Sequence, residues 1–271
     1  MLLRTASVVV AGLFMTASAW ALDYSVEPKV KDLGITPKSV LYVGNSFLYY
    51  NCGVNGYVSG LTGAAKIPLR GSMVTISGSG LDWHLVKTYL RPDGLASYGF
   101  NPDNTISFRD QTENLFDVAI LEDNSQGPIH PELSKFFQKS AAIHAKDARE
   151  ANTIPVFMIT WAYGDKPEMT KQLADATITV ANENDAMVLP VGLAFAKAKE
   201  GKPDIRLLVA DNRHPSAEGS YLMASVIFST LFKKSPENLD FLGGCDKPLP
   251  KEEAAYLQKV AWETVKEFFG W

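Results

Sequence analysis

Three side chains, far apart in the chain, have the types needed for acyl transfer. Val40-Leu41-Tyr42-Val43-Gly44-Asn45-Ser46 places a serine directly after a short apolar run. A serine hydroxyl is a weak nucleophile and needs a base within hydrogen-bond reach. Such a base stands in Asp211-Asn212-Arg213-His214-Pro215-Ser216. A carboxylate and an imidazole three residues apart in a loop can pair through one ring nitrogen and leave the other facing outward. Pro215 biases His214 away from helical geometry and holds it extended at the loop tip. Ser216 is a natural N-cap for the helix that follows. The roles would be those of the Ser-His-Asp triad: serine attacks, histidine shuttles the proton, aspartate fixes the tautomer and steadies the imidazolium. Taken alone, Ser46 also reads as the cap of the next helix, and His214 as a surface loop residue. Only together do the two segments point to a nucleophile and its base.

Other chemistries find less support. His84, His130 and His144 show no spacing with a second His or a Cys that would suit a metal, so neither metal nor cofactor is expected. The two cysteines, Cys52 and Cys245, form no C-x-x-C motif. In an oxidising compartment they could pair, and the alternative is two free thiols. A formal net charge of -4, with no run of like charges, argues against a nucleic-acid partner. The N-terminus has the layout of a secretory signal: Arg4, a small and apolar run Ala6–Ala17, then Ala19-Trp20-Ala21 as a cleavage site. Residues 1–21 are therefore expected to be a signal peptide and 22–271 a single domain. An uncleaved N-terminal anchor is the rival reading. No later stretch is apolar for long enough to span a membrane, so stable insertion after cleavage is not expected.

The remaining sequence must position the serine and the histidine loop. Strands are expected over 39–43, 73–77, 117–121, 154–160 and 186–190. Helices are expected over 51–66, 81–90, 131–152, 167–184, 191–199, 216–232 and 251–269. This alternation implies βαβ units, a mostly parallel sheet and helices on both faces. Ligands of such folds gather outside the carboxyl ends of the strands, where both motif segments fall. Residues 91–115 are polar and poorly periodic, and read as an excursion over the sheet.

Gly44-Asn45-Ser46 after the first strand, and Asp211-Asn212-Arg213-His214 before a late helix, together resemble the SGNH (GDSL-type) hydrolases over residues 38–233. That family places Gly-Asp-Ser and Asp-x-x-His in this order and context. The resemblance implies a flavodoxin-like α/β/α sandwich with a five-stranded, mostly parallel sheet. It also implies an oxyanion hole built from the serine amide, a glycine and an asparagine. Gly78 matches the glycine, with Gly80 as fallback. After the strand 117–121, Glu122-Asp123-Asn124-Ser125-Gln126 replaces the usual Gly-x-Asn-Asp, so either Asn124 or Gln126 could supply the amide. Asn45 stands where the family has aspartate. Asn45, Trp161 and Tyr163 are the expected substrate contacts, the aromatics by stacking on sugar rings, while Trp83 is expected to pack.

The function implied is an exported, periplasmic or secreted serine esterase. Its substrate would be a small-molecule or glycan ester, from which it removes acetyl or another short acyl group. The same triad could instead pass the acyl group to a sugar hydroxyl. Asn45 and the rewritten asparagine segment also suit a non-catalytic glycan-binding protein on the same fold.

Overall fold

A computed structural model describes residues 21–91, 94–95, 98–108 and 115–271. The expected signal segment, apart from Ala21, lies outside the described residues.

The chain begins its sheet with β1 (Ser39–Gly44), followed by the short helix α1 (Ser46–Tyr49), α2 (Val54–Ala64) and β2 (Arg70–Thr75). A 3-10 turn Leu81–Trp83 and α3 (Val86–Tyr89) come next, then the strands β3 (Tyr98–Phe100) and β4 (Ile106–Phe108). β5 (Val118–Leu121), a 3-10 turn Gly127–Ile129, α4 (Ser134–Glu150), β6 (Ile154–Met158), α5 (Met169–Glu183) and β7 (Met187–Leu189) continue the alternation. The helices α6 (Val191–Gly201), α7 (Ala217–Phe232) and α8 (Lys251–Phe269) close the fold.

The main sheet has five strands in the order β2-β1-β5-β6-β7, all parallel. Every residue of β1 and β5 is buried, as expected of central strands covered on both faces. The chain steps from β1 to β2 in one direction and from β5 through β6 to β7 in the other. With right-handed crossovers, that reversal puts α2 on one face and α4 and α5 on the other. The packing agrees: α2 lies against α7, and α7 against α6 and α8, while α4 lies against α3 and α5. Each residue from Gly219 to Phe232 of α7 is buried, because α2, α6 and α8 enclose the helix. The direction reverses between β1 and β5, and the crevice at their carboxyl ends is where such a sheet collects its ligands.

The expected strands and most helices overlap those observed, with β2 lying two to three residues earlier than the expected 73–77, and with two larger differences. The helix expected over 81–90 is broken. His84 is extended and Leu85 is non-helical between the 3-10 turn and α3 because the turn is captured from outside. The Leu81 amide donates to Asp123 Oδ1 (2.6 Å), and the Leu81 carbonyl accepts from His144 Nε2 (2.8 Å). The excursion over 91–115 contains the antiparallel pair β3–β4, joined through Asn104 at positive φ. No helix among the described residues is long and apolar enough to cross a membrane.

Candidate active site

β1 delivers Ser46 to the sheet's carboxyl edge. Asn45 caps α1, its Oδ1 accepting from the Phe47 amide at 3.1 Å. Gly44 is needed for close approach, not for a positive φ: a Cβ there would fall 2.2 Å from Glu122 Oε2.

The histidine loop is built independently. Asp211 Oδ1 accepts from the amides of Arg213 (2.9 Å) and His214 (3.0 Å), which closes the loop. Asn212 takes a left-handed conformation at its tip (φ 60°). The His214 carbonyl accepts from the Val209 amide, and Ser216 Oγ caps α7 at the Gly219 amide (3.1 Å). Asp211 Oδ2 lies 2.5 Å from His214 Nδ1, and His214 Nε2 lies 2.8 Å from Ser46 Oγ. Burial is the largest single influence on the Asp211 carboxyl and pushes it up. The hydrogen bonds from the His214 ring and from the two amides outweigh this and hold it down at about 2. The carboxylate is therefore ionised at neutral pH and acts as an acceptor, which fixes the imidazole proton on Nδ1. Nε2 is left with its lone pair toward the Ser46 hydroxyl, the arrangement a general base requires. Tyr50 stacks on the His214 ring (4.2 Å between centroids, 12° apart), and Phe47 meets it edge-on.

The segments carrying Gly78 and Asn124 are drawn together beside Ser46 by Asn45. Its Nδ2 donates to the carbonyls of Ser79 (3.0 Å) and Asp123 (3.1 Å) and to Glu122 Oε1 (3.0 Å). Gly78 has φ +72°, and its carbonyl accepts from Asn124 Nδ2 at 3.3 Å. Gly80 leaves room for Asp123: a Cβ would lie 2.8 Å from Asp123 Oδ1. Gln126 caps the 3-10 turn at Gly127–Ile129, and its amide donates to Asn124 Oδ1.

Two of the three expected substrate contacts are turned into the protein, and the third is almost covered. Asn45 is 3% exposed, and its side chain is spent on the cap and on three acceptors. Trp161 is wholly buried, stacked between Phe47 and Phe195, and donates from Nε1 to the Arg213 carbonyl (2.8 Å). It is a pillar beneath the histidine loop, with no face left for a sugar. Tyr163 is 5% exposed, hydrogen-bonds Ser125 Oγ (2.6 Å) and lies beneath the Arg213 guanidinium. Trp83, expected to pack, is instead 59% exposed.

Glu122 was not legible as a site residue. It is fully buried at the end of β5, and its two oxygens accept from the Asn45 amide (2.9 Å) and Nδ2. Burial pushes its carboxyl well above the usual range, and neighbouring Asp123 adds to that, against the pull of the Asn45 amide. Burial likewise raises Asp123 to about 6. The signal was in the sequence: a Glu-Asp pair directly after a fully apolar strand is held at the sheet edge, not in open water. His84 shares Gly44's carbonyl (3.1 Å) with the Ser79 hydroxyl, and burial lowers its pKa, so it stands as a neutral bracket behind β1. Among the described residues, no three His, Cys, Asp or Glu side chains converge in a way that could hold a metal ion.

Cys52 and Cys245 form a disulfide, with Cα atoms 5.6 Å apart. It ties the segment after α1 to the connection between α7 and α8.

No protein-family profile and no curated protein matches the chain. Solved structures do. A DUF4886 family protein from Bacteroides uniformis superposes with a TM-score of 0.59 at 18% identity, over 83% of this chain and 93% of that one. A candidate SGNH hydrolase from Slackia heliotrinireducens gives 0.50 at 23% identity, over 71% and 98%. An acetylxylan esterase from Geobacillus stearothermophilus gives 0.52 at 14% identity, over 72% and 94%. With its five parallel strands in the order β2-β1-β5-β6-β7 and both motif segments meeting where that order reverses, the chain has the fold of the SGNH (GDSL-type) hydrolases.

Proposed function

We propose that this protein is an exported serine esterase that removes a short acyl group from a carbohydrate ester. The observation that carries the reading is the unbroken relay from Asp211 through His214 to Ser46, at 2.5 Å and 2.8 Å. Ser46 Oγ attacks the ester carbonyl while His214 Nε2 takes its proton. The tetrahedral oxyanion is met by the Ser46 amide, the Gly78 amide and Asn124 Nδ2. Asn124 is preferred to Gln126 because its amide already reaches the Gly78 segment. Each such donor typically contributes about 3–4 kcal/mol to lowering the barrier. As the C–O bond breaks, His214 returns the proton to the leaving sugar oxygen and an acyl-serine remains. Water, deprotonated by the same Nε2, then attacks the acyl carbon. The carboxylic acid leaves and Ser46 recovers its proton.

Export is supported by the Cys52–Cys245 disulfide, which suits an oxidising compartment. The carbohydrate substrate is supported by the fold shared with an acetylxylan esterase. The test is p-nitrophenyl acetate turnover together with a serine-directed fluorophosphonate label, comparing wild type with Ser46→Ala. Wild type should turn over and label at one site. Ser46→Ala should lose both, with turnover down about 10³-fold or more. Equal acetate release from the two proteins would overturn the assignment.

A further inference from the structure

The side chains that face solvent beside the oxyanion segments differ from those expected. Gly78 and Asn124 line a cleft of about 210 Å³ together with Asp82, Trp83, Leu133 and Phe136. Trp83 is 59% exposed, Phe136 44% and Leu133 37%. A tryptophan that far into water forgoes much of the burial its ring would gain in a core, about 25 cal/mol for each Å² of apolar surface. The turn that presents it is nevertheless firmly built. Its first residue, Leu81, is wholly buried, with its amide on Asp123 and its carbonyl on His144. Trp83 is thus held out by a turn anchored on both sides, and is not a loose surface residue.

The cleft's chemistry is mixed. Aromatic and aliphatic surface stands beside the Asp82 carboxylate, the Asn124 amide and the carboxyl of Asp123. A long acyl chain would have to desolvate those polar groups without pairing them, which costs free energy. A sugar ring matches both kinds of surface: its C–H face packs on an aromatic plate while its hydroxyls donate to carboxylate and amide oxygens. The volume is below the 300–1,000 Å³ typical of drug-sized ligands and suits a single ring of a saccharide. Asp82 would repel an anionic sugar and accept from a neutral one.

We propose that this cleft is the subsite for one neutral sugar ring of an O-acylated saccharide, with Trp83 as its stacking plate and Asp82 as an acceptor for its hydroxyls. The inference rests on the esterase reading for its catalytic consequence, but the binding site can be tested without it. The kinetic experiment measures kcat/KM on O-acetylated xylo-oligosaccharides and on p-nitrophenyl acetate for wild type, Trp83→Ala, Trp83→Phe and Asp82→Asn. The ratio of the two should fall at least tenfold in Trp83→Ala, mainly through KM. It should be partly restored in Trp83→Phe and reduced in Asp82→Asn. The binding experiment titrates deacetylated xylobiose into Ser46→Ala and into Ser46→Ala/Trp83→Ala by calorimetry, and heat of binding should be present in the first and lost in the second. A ratio unchanged in both Trp83→Ala and Asp82→Asn, or equal xylobiose binding by the two serine variants, overturns the subsite. If p-nitrophenyl acetate turnover survives Ser46→Ala, the esterase reading fails on its own, and the calorimetric comparison still decides the subsite.

Discussion

Glu122 holds the chain at the point where Ser46 leaves β1. Its two oxygens accept from two donors of one residue, the Asn45 amide and the Asn45 side chain. The resemblance to Gly-Asp-Ser makes Asn45 look like a lost charge, but the carboxyl group is still present and now comes from the neighbouring strand. An aspartate at 45 would set a second carboxyl against Glu122, whereas the asparagine amide offers it a donor. Glu122→Gln tests this pairing with almost no change of shape. The Gln oxygen can still accept from the Asn45 backbone amide, but its NH2 then faces Asn45 Nδ2, whose hydrogens keep the Ser79 and Asp123 carbonyls, so the new donor is buried without an acceptor. Such an unpaired donor costs about 1–3 kcal/mol. The variant should unfold in urea with stability lowered by that amount, and an unchanged midpoint would remove Glu122 from this role. Residue types were informative about Ser46, Asp211 and His214 because serine, aspartate and histidine at strand and loop ends have few structural reasons to be there together. They were misleading about Trp161 and Trp83. Which of two tryptophans is buried depends on Phe47 and Phe195 closing over one of them, and local sequence carries no record of that contact.

At the scale of elements, the segment between α1 and α2 binds the two halves of the site together. Asn51, Cys52 and Gly53 take positive φ in succession (54°, 69°, 82°), a conformation that asparagine and glycine accept readily but cysteine adopts under constraint. The constraint comes from two sides. Asn51 Nδ2 donates to the Pro215 carbonyl (2.9 Å) and Ser220 Oγ (2.8 Å), and Cys52 is joined to Cys245. Tyr50, one residue earlier, is thereby kept against the His214 ring. The disulfide spans a sequence separation of 193, so in the unfolded chain it closes a long loop. Removing a native bridge of this kind costs about 2–5 kcal/mol, most of it through the freed denatured chain. The Cys52→Ser/Cys245→Ser protein should show that loss in urea unfolding, and wild type in dithiothreitol should match it. Equal stability of oxidised and reduced protein would mean that the clamp contributes nothing. The strands were legible because continuous apolar runs such as Val118–Leu121 can only be buried. The break at His84–Leu85 was not, because its cause lies in Asp123 and His144, 38 or more residues away in sequence.

For the molecule as a whole, placing the site at the reversal between β1 and β5 brings buried carboxyls together at one sheet edge. Asp123 is 5% exposed, lies near the Asp82 carboxylate and accepts from the Leu81 amide. Its carboxyl is raised to about 6 in the folded protein, chiefly by burial, against about 3.9 for a free side chain. Below both values, folded and unfolded chains carry the same proton, and Asp123 adds no pH dependence. Between about pH 4 and pH 6 the folded state keeps the proton while the unfolded state releases it, so stability falls as pH rises. Above pH 6 both forms are ionised, and the loss is complete at roughly 2–3 kcal/mol. Asp211 works in the opposite sense at lower pH. Its carboxyl is held at about 2, so its contribution is present above the free value of about 3.9 and is lost as pH falls toward 2. The two windows do not overlap, which lets one substitution isolate the first. Asp123→Asn removes the titrating group and keeps an oxygen for the Leu81 amide. Measured by urea unfolding at half-unit steps, wild type should lose roughly 2–3 kcal/mol relative to Asp123→Asn between pH 4 and pH 6.5. The difference should be constant above that range. A gap that stays constant from pH 4 upward would mean that Asp123 ionises as freely in the fold as in the open chain, and that the sheet edge beside Ser46 is open to water.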